Sequence, residues 1–347
     1  MLTKTRKSAV YQYICLDDRS ATPKYQQLAN SIIHAVQNGN IKKNEILPSL
    51  SELSFEFEIS RDTAQRGYRY LKVSGLLGSI PGKGYFIKST EVDCERKVLL
   101  LFNKLSLHKK ILYDSIVASL GQYANIDLHI YDNDFSLFRK LLKKKGDGYT
   151  HYVIIPHFLE GGEYAHEIIN AIDKDRLILL DRLVPGVSGE FGAIYENFET
   201  DIYSALEQAL EVLQKYHTIR IIFPEHSYFP REILFGFHAF CKAYGFKSGI
   251  IPDICQAPIH PGEVFISLRE EDLVTLVEKI LDSRLTVAKD VGVISYNETP
   301  VKRIILNGIT TISTDFKLMG TMVAEMIMNK RQQHLEVPFR LTLRLSL

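Results

Sequence analysis

The sequence predicts a multidomain chain, with an N-terminal winged helix-turn-helix followed by a two-lobed α/β domain. The length of 347 residues exceeds one ordinary domain and fits two or three. Residues 21–89 show three helical patterns and then a glycine-rich hairpin, whereas short apolar runs alternate with amphipathic segments over residues 97–347. Such alternation is typical of parallel, doubly wound sheets, and its length favours two lobes over one.

Charge is distributed unevenly along the chain. The formal net charge is only +1, but residues 1–90 contain 13 Lys and Arg against 7 Asp and Glu. The remaining residues hold 29 basic against 34 acidic side chains. This asymmetry indicates an N-terminal module that faces phosphates, attached to a neutral-to-acidic body.

Several protein classes are excluded by composition. The four cysteines are scattered without a C-x-x-C pair, which favours reduced intracellular thiols over a disulfide framework. No apolar run is long enough for a membrane span, and the first 20 residues lack the apolar core of a signal peptide. The eleven histidines show no metal-ligand spacing. We therefore expect a cytoplasmic protein without membrane contact, and no metal or cofactor is predicted.

The N-terminal module is divided by helix-capping signals. Thr22-Pro23 predicts an N-cap with proline at the first helical position, Ser49 fits a capping box with Glu52, and Ser60 caps a third helix. We assign residues 1–20 to an arm, 21–89 to the winged helix, 90–96 to a linker and 97–347 to the α/β domain.

The third helix carries the features expected of a DNA reader. Ala64, Tyr68 and Leu71 share one face of it, while its other faces are basic. An α-helix fits the major groove, and amides at its N-terminus favour a phosphate. Lys83 lies at the glycine-flanked tip of the hairpin, from which it can reach a neighbouring groove.

The α/β part is read as eight strands separated by amphipathic segments. The predicted strands are 98–102, 127–131, 152–156, 177–181, 193–195, 220–224, 264–267 and 292–296. The predicted helices are 111–123, 135–145, 163–173, 199–215, 231–244 and 270–283. Ligands bind beyond the carboxyl ends of strands in such sheets, so polar residues at those ends are candidate contacts.

Residues 23–87 resemble the DNA-binding module of GntR-type regulators. The resemblance is carried by residues 23–28 (PKYQQL), 47–49 (LPS), 59–64 (ISRDTA), 75–77 (GLL) and 82–87 (GKGYFI). It implies DNA contact by the start of the third helix and by the wing glycine. With the neighbouring polar and basic residues, the candidate DNA contacts are Ser49, Ser60, Arg61, Thr63, Gln65, Arg66, Lys83 and Gly84. The chain departs from the family pattern at Ser51 and Gln65, where arginine is common.

Residues 97–347 are similar to the effector domain of LacI/GalR-type regulators, which is itself similar to periplasmic sugar-binding proteins. The matching stretches are 177–182 (LILLDR), 235–237 with 244–246, 291–297 (VGVISYN), 309–320 (ITTISTDFKLMG) and the tail 337–346. The resemblance implies a ligand between the two lobes. The candidate ligand contacts are Asn103, Asp181, Tyr195, Arg231, Arg269, Asn297 and Phe316.

Three of these positions depart from that family. Asn297 stands where an acidic residue is usual, and Arg269 with Glu270 replaces an Asn-Asp pair. Ile233 occupies the place of the ligand-gripping arginine, for which Arg231 is the nearest substitute.

The combination of the two modules resembles the arabinose-repressor group, whose members are homodimeric repressors released by a sugar. We therefore expect a transcription regulator that binds double-stranded operator DNA as a homodimer and responds to a monosaccharide. A non-sugar metabolite is the first alternative as the ligand. An enzyme with an appended DNA-binding domain is another, although no nucleophile elbow or phosphate-binding loop is present. A sugar-transport binding protein is disfavoured by the winged helix.

Overall fold

A computed structural model describes residues 9–18, 20–80, 82, 84–90, 96–145, 148–329 and 332–347. The chain divides into two compact units. Unit 1 comprises Met1–Phe102, Leu120–Ile130 and Leu141–Val153. Unit 2 comprises Asn103–Ser119, Tyr131–Lys140 and Ile154–Leu347.

The first part of unit 1 is a winged helix. Its helices are α1 (Lys24–Gln37), α2 (Leu50–Glu56) and α3 (Arg61–Val73). Its strands are β1 (Ile46–Leu47), β2 (Leu77–Ile80) and β3 (Gly84–Ile87). The strands form an antiparallel sheet in the order β1-β3-β2. Two helices, a turn, a third helix and a hairpin were the predicted arrangement.

Side-chain caps fix where two of the three helices begin. The Ser49 hydroxyl accepts a hydrogen bond from the Glu52 backbone amide at 3.2 Å. The Glu52 carboxylate accepts one from the Ser49 backbone amide at 2.7 Å, and the two bonds together confirm the capping box. Ser60 caps α3 by accepting the Thr63 amide at 3.0 Å. The expected Thr22 cap is wrong, because Pro23 occupies the N-cap position of α1. The Thr22 hydroxyl bonds elsewhere, to the backbone of Leu128.

The winged helix has its own hydrophobic core. Leu28, Ala64 and Tyr68 are almost completely buried in it, and the Tyr68 hydroxyl donates to the Pro48 carbonyl at 2.6 Å. A short 3₁₀ helix (Ala9–Tyr13) precedes α1, and its Val10 is fully buried in the same core. This part of the predicted N-terminal arm therefore packs on the winged helix.

The rest of unit 1 consists of parallel strands. These are β4 (Arg96–Phe102), β5 (Ala124–Ile130) and β6 (His151–Ile154), in the order β6-β4-β5. β4 and β5 pair along their whole length, from Arg96 opposite Ala124 to Phe102 opposite Ile130. β5 ends this strand order and is an edge strand.

Unit 2 contains the remaining strands in two sets. The order β14-β8-β7 joins β14 (His334–Glu336), β8 (Gly192–Tyr195) and β7 (Leu177–Asp181), all in parallel. The second set has the order β10-β9-β11-β12-β13-β15 and is parallel except for the β13–β15 pair. Its strands are β9 (Thr218–Ile222), β10 (Lys247–Ile251), β11 (Glu263–Ser267), β12 (Val291–Tyr296), β13 (Thr310–Thr314) and β15 (Phe339–Thr342).

Helices connect these strands. They are α4 (Leu107–Leu120), α5 (Phe135–Lys145), α6 (Ala165–Ile169), α7 (Phe198–Gln208), α8 (Leu210–Leu213), α9 (Glu232–Tyr244), α10 (Glu270–Asp282) and α11 (Phe316–Asn329). α9 packs closely on α7, because a Cβ added at Gly236 would lie 2.0 Å from the Glu199 carbonyl oxygen. No helix in the described part of the chain is long and apolar enough to cross a membrane.

The predicted fold class is confirmed. All eight strands expected after residue 97 are present, with bounds that differ by a few residues. The strand prediction omitted β10, β13, β14 and β15, and the helix prediction omitted α11.

Candidate functional site

The first turn of α3 presents a polar surface to solvent. The Ser60 cap holds the turn, and the Ser60 and Thr63 hydroxyls lie 2.8 Å apart. Arg61 and Gln65 are exposed on the same helix. Arg66 is exposed too, but its guanidinium carbon lies 4.5 Å from the centroid of the Tyr25 ring, which anchors this side chain over α1.

Two other candidate DNA contacts lie outside α3. Ser49 is exposed at the start of α2, where it is engaged in the capping box. Gly84 opens β3 with φ +92°, a conformation that side chains rarely adopt. Lys83 lies outside the described residues.

A cleft of about 380 Å³ lies within unit 2, a volume within the range of small-molecule sites. Three of its polar side chains come from the carboxyl ends of strands: Asp181 ends β7, Glu196 follows β8 and Asn297 follows β12. The first turn of α4 contributes His108 and Lys109. The carboxyl ends of parallel strands are where α/β folds bind ligands.

A buried ion pair belongs to the polar lining of the cleft. The Lys109 ammonium donates to Asp181 Oδ2 at 3.1 Å and to Asn103 Oδ1 at 2.5 Å. Nε2 of His157 lies 3.0 Å from the same Asp181 oxygen. The side-chain amide of Asn103 in turn donates a hydrogen bond to Asn133 Oδ1 at 2.7 Å. Lys109 therefore fixes the orientation of Asp181 inside a network that leaves few rotamers open.

The network shifts the pKa values of its carboxyl and imidazole groups in different directions. Burial alone would raise the pKa of Asp181, but Lys109 and His157 outweigh it and hold that pKa well below its usual value. Burial and the Asp181 charge together raise the pKa of Glu196 well above normal. Burial also lowers the pKa of His157, despite the opposing effect of Asp181. The network therefore favours the charged form of Asp181 and the neutral forms of Glu196 and His157.

A lysine side chain binds the backbone at the end of β12. Lys302 is buried and its ammonium donates to the carbonyls of Tyr296 at 2.9 Å and Asn297 at 2.7 Å. Burial lowers the pKa of Lys302 to about 8. Asn297 has φ +65°, and its side-chain nitrogen lies 3.5 Å from His108 Nε2.

Some polar atoms of the cleft have unused hydrogen-bonding capacity. Within the described part of the chain, Asn297 Oδ1, His157 Nδ1 and the Tyr296 hydroxyl are buried without a partner. Buried polar atoms are nearly always hydrogen-bonded, so these three are available to a ligand or to water.

Aromatic rings form the walls of the cleft. His108 and Phe316 lie with ring centroids 4.9 Å apart, and the Lys104 ammonium lies 5.0 Å from the centre of the Tyr228 ring. Phe198 and Phe229 line the same space. Rings beside polar groups suit a ligand that has an apolar face and hydroxyl edges.

The structure brings four of the seven predicted ligand contacts into the cleft: Asp181, Arg269, Asn297 and Phe316. Arg269 precedes α10 and is bound to Asp272 by two hydrogen bonds of 2.7 and 2.6 Å.

The other three predicted contacts lie elsewhere in unit 2. Asn103 is buried behind Lys109, and half-buried Tyr195 pairs with Asp181 across β7 and β8. Arg231 is exposed beside a second groove, which Phe235 and His226 also line.

Sequence reasoning missed His108, Lys109, His157, Glu196, Tyr228 and Lys302. The strand-end rule could have found Glu196, which follows β8 directly, and His157, which follows β6 by three residues. Lys109 had no such signal, because it sits in a helix beside the similar Lys110. Within the described residues, no group of three or more His, Cys, Asp or Glu side chains is arranged to hold a metal ion.

The comparison with known families concerns the first domain. Residues 24–87 match the profile of the family described as bacterial regulatory proteins, gntR family. The N-terminal domain is a GntR-type winged helix. The resemblance expected from residues 23–87 is thereby confirmed.

Two regulators are similar to parts of the chain. One is the mannosyl-D-glycerate transport/metabolism system repressor MngR of Escherichia coli (strain K12), 32% identical over 101 residues, covering 27% of this chain and 42% of that protein. The other is the arabinose metabolism transcriptional repressor of Geobacillus stearothermophilus, 34% identical over 65 residues, covering 19% of this chain and 18% of that protein. The chain thus matches less than half the length of either relative.

The α/β part is similar to solved structures of LacI-type regulators. A LacI family transcriptional regulator from Enterococcus faecium, solved with bound ribose, superposes with a TM-score of 0.58 at 17% sequence identity. The match covers 72% of this chain and 98% of that one. At this identity the similarity shows the fold, and it confirms the expected LacI-type architecture.

Proposed function

We propose that the protein is a sequence-specific transcription regulator, acting as a homodimeric repressor in the cytoplasm, whose operator affinity is controlled by a sugar. The observation that carries the proposal is the presence, in one chain, of a GntR-type winged helix and a polar-aromatic cleft in a LacI-type fold. We also propose that residues 90–96 are the linker between the winged helix and the α/β domain.

The DNA-binding half rests on the start of α3. Its capped first turn exposes Arg61 and Gln65 beside the Thr63 hydroxyl, and the surrounding 90 residues carry an excess of basic charge. Arginine at the start of a recognition helix can bind a guanine edge with two hydrogen bonds. Ser60 is the cap that keeps those side chains in position.

The sugar half rests on the chemistry of the cleft. Asp181 and Asn297 Oδ1 accept hydrogen bonds, Arg269 and the Asn297 amide donate them, and Phe316 offers a ring face. A monosaccharide needs all three features because it has hydroxyls at its edges and apolar C–H faces. The relatives named for mannosyl-D-glycerate and arabinose, and the ribose-bound structure, support a sugar over another metabolite.

A binding role is proposed rather than catalysis. One oxygen of Asp181, Oδ2, is bound to both Lys109 and His157, and the Lys302 ammonium is bound to two backbone carbonyls. Groups held in this way position a ligand, whereas a nucleophile and its base need free access to the reacting atom.

DNA binding is tested by selecting duplexes from random DNA with the full-length protein and measuring their affinity by fluorescence anisotropy. Arg61→Ala should weaken binding to the selected duplex by about 1–3 kcal/mol. Arg139→Ala, which removes an exposed arginine from α5, is the matched control and should bind as the wild type does. Equal affinity for selected and random duplexes would refute this half of the proposal.

Ligand binding is tested by thermal unfolding against free and phosphorylated monosaccharides. A ligand at 100 times its dissociation constant adds about 2.7 kcal/mol, which raises the midpoint by roughly 5–10 °C. Asn297→Gly removes the amide while accepting the positive φ, and should abolish the shift. If non-sugar metabolites stabilise the protein and sugars do not, the ligand belongs to that alternative class.

A further inference from the structure

The outward side of β5 is covered by the winged helix. The Leu128 amide donates to the Thr22 hydroxyl at 2.7 Å, and that hydroxyl lies 3.4 Å from the Leu128 carbonyl oxygen. The side-chain amide of Asn30 donates a hydrogen bond to the Ile126 backbone carbonyl at 3.3 Å. An edge strand leaves such backbone groups unpaired. Thr22 and Asn30 therefore supply the hydrogen bonds that a further strand would otherwise provide.

Two more contacts extend this seam. Nδ2 of Asn125 lies 3.0 Å from His34 Nε2 of α1, and the Tyr70 hydroxyl of α3 donates to the Gly121 carbonyl at 3.2 Å. Thr22, Asn30 and Asn125 are at most 5% exposed. Polar groups at this depth lose free energy unless they are hydrogen-bonded, so the contacts specify one orientation of the winged helix.

Helix α4 contains residues that line the ligand cleft and ends next to Gly121 in sequence. Its first turn contains the cleft-lining His108 and Lys109, and its last residue is Leu120. Gly121, which Tyr70 contacts, follows immediately. This 14-residue helix is about 21 Å long. The chain therefore passes from the cleft-lining residues to Gly121 through this helix.

We propose that the seam formed by Thr22, Asn30, His34 and Tyr70 against β5 and Gly121 fixes the winged helix on the α/β part and sets its operator affinity. The regulatory half of this inference rests on the proposed function, whereas the docking itself does not. The competing arrangement is a winged helix that tumbles independently of β5.

Docking is tested by hydrogen exchange, resolved to single amides, on the full-length protein without ligand or DNA. The Leu128 amide should be protected in the wild type. Thr22→Val, which keeps the side-chain shape and removes the acceptor, should raise its exchange rate about tenfold or more. Ser31→Ala is the matched control, because the Ser31 hydroxyl bonds to the Cys15 backbone. Exchange of Leu128 at the rate of an unprotected amide in the wild type would overturn the docking.

The effect on operator affinity is tested with the duplex selected from random DNA by the wild type. Tyr70→Phe and Asn30→Ala should each change its dissociation constant by about fivefold or more, whereas Ser31→Ala leaves it within twofold. Tyr70→Phe is conservative and guards against a folding defect. Unchanged affinity in both seam variants would overturn the regulatory half. If no duplex is selected, the proposed function and the regulatory half are both wrong, and the exchange result alone decides the docking.

Discussion

The buried Lys109–Asp181 pair gives the strongest single prediction. Their side chains are only 5% and 10% exposed, and their nitrogen and oxygen lie 3.1 Å apart. Lys109→Met keeps most of the volume but leaves the Asp181 carboxylate without its cation. Removing one partner of a buried ion pair typically costs about 3–5 kcal/mol, so the unfolding midpoint should fall by roughly 10 °C.

The matched control is the neighbouring lysine. Lys110 pairs with Asp114 at 2.6 Å, but both side chains are more than half exposed. Lys110→Met should therefore cost about 0.5 kcal/mol or less, because solvent screens such pairs. Both variants are compared with the wild type by urea and thermal unfolding at pH 7.

The pH dependence adds a second criterion. The pKa of Asp181 is depressed in the folded state, so the pair stabilises the protein above the unfolded-state value near 4. That stability is lost as the pH falls through the folded-state value. The gap between wild type and Lys109→Met should therefore be full at pH 7 and narrow under strong acid. If Lys109→Met unfolds within about 1 kcal/mol of Lys110→Met at pH 7, the ion pair does not hold the cleft together.

The other predictions concern packing and histidine protonation. Gly236→Ala should destabilise the protein by about 3 kcal/mol or more in urea unfolding, because the new methyl group would collide with the Glu199 carbonyl. Gly249→Ala serves as the control, because its methyl group would meet only ordinary contacts. Burial, and then Lys109, lower the pKa of His108 to about 3, so the folded state resists protonation and stability is lost as the pH falls from 6.5. His108→Phe keeps the ring contact with Phe316 and should reduce the loss between pH 6.5 and 5 by about 2 kcal/mol, while His226→Phe, at an exposed position, should not. An unchanged pH slope in His108→Phe would contradict a neutral imidazole at this position.

The winged helix could be predicted from the sequence because its signals are local. Ser49 with Glu52 and Ser60 with Thr63 lie within four residues of each other, so spacing alone locates both helix starts. The Thr22 prediction failed because its hydroxyl is taken by Leu128, 106 residues further along the chain. Spacing cannot report a competing partner so distant in sequence.

The cleft could be predicted only in part, because contacts between residues far apart in the sequence leave no local signal. Asp181 and Asn297 were found because strand ends have a known place in α/β folds. Lys109 and Tyr228 enter the cleft from a helix and a loop, whose directions depend on tertiary packing. The polar strand β14 lacks the apolar alternation on which strand prediction depends, because two of its three residues are exposed.

We propose that one chain couples sugar binding to operator binding. The most direct test is an anisotropy titration of the duplex selected from random DNA, with and without a saturating concentration of the monosaccharide that raises the unfolding midpoint most. We expect that the sugar weakens duplex binding by at least about fivefold, and that the duplex weakens sugar binding by the same factor. Identical duplex affinity with and without the bound sugar would contradict it.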